Sequence, residues 1–143
     1  MGMLSDFIVA DTREVPSILK SVNPSAKWES AQFKGLSEVN LCQLWAILKH
    51  SEFNEADLSK FKLFSNDQHE GPWAIVVPGE LTANIAAVKD SDILHVAELW
   101  SRTDELAMDR WQVSDVVAML QAVRKLSSSA VQGHKSLILW VSL

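Results

Sequence analysis

Residues 135–143 read Lys-Ser-Leu-Ile-Leu-Trp-Val-Ser-Leu, and the unbroken apolar run from Leu137 to Val141 constrains the fold more than any other stretch. A strand with one wet face alternates apolar and polar residues with period two. Five apolar residues in succession, with no Gly, Pro, Asp or Asn among them, predict a strand covered on both faces at the centre of a sheet. The fold is then expected to close around this last segment, with Trp140 as the residue whose loss hurts most.

The rest of the chain supplies neighbours for that strand. Phe7–Ala10 is a short apolar run ending at Asp11-Thr12, residues suited to capping a helix on which Val15, Ile18, Leu19 and Val22 recur at helical spacing. Residues 27–36 alternate weakly, with Trp28, Ser30, Gln32 and Lys34 on one side of a strand and Ala31 and Phe33 on the other. Ser37 caps a helix over 38–50 that is apolar almost all round, hence buried on more than one side. A short helix over 54–61 and then a loop are expected, followed by a turn at 66–72, where Asn, Asp, Gly and Pro gather. Trp73–Val77 reads as a second buried strand. Helices over 80–88, from a cap at Asp90 or Ser91 to about Trp100, and from a cap at Ser114 to Gln132 complete the chain; on the last, Val116, Val117, Leu120, Val123, Ser127 and Val131 are expected to face inward. Strands and helices mix without a βαβ repeat, which predicts an α+β fold: a small mixed or antiparallel sheet of about four strands, covered on one face by helices.

One domain over 1–143 is expected, because a chain of this length buries roughly 68–70% of its unfolded surface and 48% hydrophobic residues suffice for a core. The net charge of −5 comes from acids scattered along the chain, so no basic patch suggests nucleic acid as a partner. The close basic pairs, Lys60 with Lys62 and Arg124 with Lys125, are small. Acidic residues interrupt any N-terminal targeting signal, and no run approaches the ~18 apolar residues of a membrane span. A cytoplasmic protein is expected, with Cys42 as a buried thiol in a reducing compartment.

Catalytic patterns are weak. Of the four histidines only His95 has a helical partner, Glu98 at i+3, and an exposed polar face accounts for both. Asp67, His69 and Glu70 form a polar turn more readily than a metal site. The chain has no nucleophile elbow and no Gly-rich phosphate loop, so no cofactor is implied. The most chemically varied segment runs from Glu98 to Glu105. If Arg102 pointed inward it could fork a carboxylate or phosphate against a Trp100 wall, which makes Trp100, Arg102, Glu105 and Trp111 the candidate ligand-binding residues. The competing account pairs Glu98 with Arg102 across one helical turn. Six tryptophans and no tyrosine are a large apolar payload; Trp45, Trp73, Trp100 and Trp140 fall on buried faces, leaving Trp28 and Trp111 for a partner surface.

Three pieces, Trp73-Ala-Ile-Val-Val-Pro-Gly-Glu-Leu81, Glu98-Leu-Trp-Ser-Arg-Thr-Asp-Glu-Leu106 and Leu139-Trp-Val-Ser-Leu143, resemble a group of small bacterial proteins, cyanobacterial among them, without an assigned activity. The resemblance covers the second half of the chain, implies a bacterial cytosolic origin and gives no residue a role. The functional expectation is therefore a non-catalytic domain that binds another protein or forms a homo-oligomer. The alternative is a small-molecule binder or enzyme with a pocket at Trp100 and Arg102.

Overall fold

A computed structural model describes residues 3–65, 71–108 and 110–143. The terminal apolar run forms strand β5 (Ser136–Ser142), the middle strand of a five-stranded sheet. On one side it pairs antiparallel with β1 (Leu4–Ala10), which pairs with β2 (Glu29–Lys34); on the other with β4 (Trp73–Val76), which pairs with β3 (Lys62–Ser65). Leu137 to Val141 are all buried, as an apolar run without alternation demands.

Register makes two cross-strand rows. Ala31, Phe7, Leu139, Ile75 and Leu63 stand side by side on one face, and Gln32, Asp6, Trp140, Ala74 and Phe64 on the other. The first face carries the main core. It packs against α2 (Glu38–Leu48), α3 (Gly79–Ala86), α4 (Ile93–Ser101), α5 (Asp104–Met108) and α6 (Val113–Gln132). The second face carries a smaller cluster of Ile8, Ala10, Ala74, Ile138 and Trp140 beneath α1 (Val15–Lys20), which contributes Val15, Ile18 and Leu19.

The α+β class holds, with five strands instead of about four, and α1 adds cover to the face expected to lack helices. Strand β1 begins earlier than its apolar run because Ser5 and Asp6 are buried within it. Ser5 Oγ donates to the Leu36 carbonyl at 3.0 Å and accepts from the Leu36 N–H at 2.9 Å, so the hydroxyl is satisfied where hydropathy alone would exclude it. Ser37 caps α2, accepting from Val39 N, while its own N–H donates to Asn40 Oδ1 at 2.8 Å.

The segment expected as a helix over 54–61 is a 3₁₀ turn, Glu55–Lys60, and the residues after it, read as loop, form β3. Four residues are too few to show a period. Val22 lies beyond the end of α1 and is 94% exposed, and Val131 is also exposed because Met119, Leu126 and Ala130 complete the inner stripe of α6. Neither Asp92 before α4 nor Gln112 before α6 makes a side-chain cap; Ser114 lies inside its helix. The turn at 66–72 lies outside the described residues except for Gly71 and Pro72.

Candidate functional site: a cationic cleft at the open edge of the sheet

Among the described residues strand β3 pairs with β4 on one side and with no strand on the other, and all four of its residues are exposed. Leu63 is 65% exposed and Phe64 40%. An edge strand presents unpaired N–H and C=O groups that can template another strand, and proteins blunt such edges with charge or cover. Here the edge carries one cation, Lys62, and two apolar side chains pointing to opposite faces.

On the Phe64 face, a cleft of about 590 Å³ is lined by Thr12, Arg13, Lys60, Lys62, Phe64 and the start of α3 at Gly79. It continues past Phe64 into an apolar groove of about 530 Å³ between β3 and α1, walled by Val15, Pro16 and Leu19 with Lys20 at its rim. Helix α3 begins behind Pro78 without a side-chain cap on its first N–H groups, so the positive end of the helix adds to the field of the cations. On the Leu63 face, a shallower groove of about 350 Å³ runs along Met3, Trp73 and Val141.

The cations are positioned by structure behind the edge. Asp57, buried in the 3₁₀ turn, accepts from Lys49 at 2.8 Å and pairs with Lys60 at 3.1 Å. These bonds hold its carboxyl below the ordinary carboxylate range, Lys49 contributing most and burial opposing. Both ammonium groups also sit over the Trp45 ring, at 4.3 and 5.1 Å from its centroid, and Phe61 meets the same indole edge-on at 6.5 Å. Arg13 forks onto Asp11 at 3.0 and 3.1 Å. Lys62 and Lys20 take no part in the ion pairs formed between described residues.

The residues singled out from sequence lie elsewhere. Trp100 is completely buried in the main core, its indole N–H donating to the Asn40 carbonyl at 3.0 Å, so it has no surface to offer a ligand. Arg102 is exposed at the end of α4, and Glu98 with Arg102 is not among the ion pairs formed between described residues. Glu105 accepts from the Gln43 side-chain amide, and Trp111 is half-buried against the main core. Trp45 and Trp140 are buried as expected, Trp73 partly so, and Trp28 donates to Glu14. His95 is exposed beside a cleft that His50 also lines. Among the described residues no three His, Cys, Asp or Glu side chains come together as metal ligands, and Asp67, His69 and Glu70 fall outside them. No described helix is long and apolar enough to cross a membrane.

In sequence the Lys60–Lys62 pair is visible but small. Sequence reasoning missed Arg13 and Lys20, which the 3₁₀ turn Thr12–Glu14 and the end of α1 bring to the same cleft from forty or more residues away, and it missed that Phe64 stands between them. The signal that could have found the cleft is the triplet Lys62-Leu63-Phe64, whose two outer members share a face in any extended conformation.

No family model and no solved structure matches the chain. A stretch of 46 residues, 32% of the chain, is 39% identical to part of the B subunit of DNA gyrase from two strains of Staphylococcus epidermidis. That stretch spans 7% of the gyrase polypeptide, so the likeness is to a fragment of it and transfers no residue role.

Proposed function

We propose that the protein is a non-catalytic protein-binding domain that takes an extended acidic segment of another protein as an added strand on β3. The observation that supports this reading is the open four-residue edge whose apolar side chains, Leu63 and Phe64, project beside Arg13, Lys20, Lys60 and Lys62. Strand addition takes its affinity from main-chain hydrogen bonds and its specificity from pockets for alternate side chains. An incoming strand would set one set of side chains against the cations and Phe64, and the other against Leu63 and Trp73.

Charge separates another protein from a second copy of this chain. Two β3 edges brought together would gather the Lys62 and Lys20 of both copies, which take no part in ion pairs between described residues, into one interface, a like-charge crowding that an acidic partner avoids. The bulk charge of −5 argues against nucleic acid in the same cleft. A reducing cytosol suits the domain, whose single cysteine, Cys42, is a buried free thiol, with burial pushing its pKa up.

The test uses a labelled (Glu-Val)₄ peptide, whose alternation puts every carboxylate on one face, against (Lys-Val)₄. Saturable binding of the acidic peptide, weakening with salt and accompanied by slowed amide exchange in residues 62–65, is expected, with Lys62→Glu reducing affinity at least ~10-fold. Equal binding of both peptides, or light scattering that shows a dimer joined through β3, overturns the reading.

A further inference from the structure

The second face of the sheet holds another recess, separate from the β3 edge, at the far side of Trp140. It has a volume of about 310 Å³, at the small end of ligand pockets. Its floor is the row Gln32, Asp6, Trp140 across β2, β1 and β5. Asn23 and Val22 form one lip, and Leu4 and Lys34, paired in register one step along the strands, form the other.

The polar groups of this floor are short of partners. Asp6 is only 3% exposed, belongs to none of the ion pairs among described residues, and receives one long hydrogen bond, from Gln32 Nε2 at 3.4 Å. Trp140 is 4% exposed, and its indole N–H is buried with no acceptor among the described residues. Burial pushes the Asp6 carboxyl above its ordinary range, with the Gln32 amide offsetting part of the effect. A buried carboxylate is ordinarily matched to a positive charge. Aliphatic side chains, Leu4 and Val22, share the walls with Asn23 and Lys34, and both are exposed. Lys34, exposed at the rim, is the diagonal cross-strand neighbour of Asp6, with backbones about 7–8 Å apart.

We propose that this recess binds a free aliphatic amino acid, its ammonium group on Asp6 and its carboxylate on Lys34. One negative group inside, one positive group at the mouth and aliphatic surface between them match a small zwitterion with an apolar side chain. A simple amine would satisfy Asp6 and leave Lys34 unused, whereas a simple carboxylic acid would bring a second negative charge to Asp6.

The experiment follows the Trp140 indole N–H resonance, assigned with Trp140→Phe, while L-leucine is added to the intact protein. Two half-ligands serve as controls: leucinamide, which keeps the ammonium group, and 4-methylpentanoate, which keeps the carboxylate. Saturable movement of that resonance with L-leucine is expected, with leucinamide binding more weakly and 4-methylpentanoate not at all. Asp6→Asn should lower affinity at least ~10-fold and the exposed Lys34→Met about 3–10-fold, as loss of a charged hydrogen bond implies. If Asp6→Asn fails to fold, Lys34→Met and the two half-ligands on the wild-type protein decide the question. No titration up to ~10 mM, the weak limit for such a contact, overturns the proposal. So does leucinamide binding as well as leucine, which would mark a site for amines or a peptide N-terminus, or 4-methylpentanoate binding as well as leucine.

Discussion

Leu139 and Leu63 stand in the same cross-strand row with Ile75 between them, yet one is fully buried and the other is 65% exposed. Residue type and sheet face are identical; only the strand's position differs. On β5 the backbone is paired on both sides and helices cover the row, so the leucine is core. On β3 no described strand lies on the outer side of the backbone, and the leucine stays exposed. Closure at the centre and openness at the edge are thus two consequences of one strand order.

The largest effect that bears on this contrast belongs to the central strand's other face. Trp140→Ala should cost about 3–5 kcal/mol in urea denaturation, as removal of a buried indole does. Trp140→Phe should cost much less, because it also removes an unpaired buried N–H. A Trp140→Ala cost below ~1 kcal/mol would mean that β5 is not held between two packed faces. Next comes Leu139→Ala, expected to lose about 2–5 kcal/mol by the same measurement; a loss as small as that of an exposed leucine would erase the distinction between centre and edge.

The centre was legible in the sequence because its signal is local. Five apolar residues in succession can only be buried twice over, and Ser37 announces α2 through its own side chain. The edge was not legible for the converse reason. Nothing in Lys62–Ser65 states whether its outer side is paired, and the cations that give the cleft its character come from the turn before α1, from the end of α1, from the 3₁₀ turn Glu55–Lys60 and from β3. Trp100, read from sequence both as a buried-face residue and as the wall of a ligand site, takes the first of these places. Its charged neighbours in sequence suggested a ligand site, but helical geometry turned the indole inward to Asn40 and left Arg102 outside. Asp6 gave no signal because a carboxylate in a strand reads as the end of the strand, whereas here β1 continues through it.

Two carboxylates extend the comparison to pH with opposite signs. Asp57, behind the edge, has its folded pKa depressed by Lys49 and Lys60. The stability it contributes is present above its unfolded value, near pH 4, and is lost as pH falls through the folded value. Asp6, within the sheet, has its folded pKa raised by burial, so the folded state holds a proton that the unfolded state has released. Its contribution therefore declines as pH rises from the ordinary carboxylate range through its raised value. Denaturant unfolding between about pH 3 and 7 should show Asp57→Asn removing part of the acid-side loss and Asp6→Asn removing part of the decline toward neutrality. The same slope in both variants would contradict the different surroundings of the two groups.

The smallest stability effect is the sharpest test of the edge. Leu63→Ala removes a side chain that is mostly in water, so its cost should lie within ~0.5 kcal/mol. An added strand would cover that same side chain, and truncation should then weaken the (Glu-Val)₄ peptide by several-fold, in proportion to the apolar area newly buried. The paired outcome matters more than either half. A leucine that contributes nothing to folding and something to binding is surface kept apolar for a partner. A leucine that contributes to folding belongs to the core after all, and one that contributes to neither would leave β3 as an edge without an occupant.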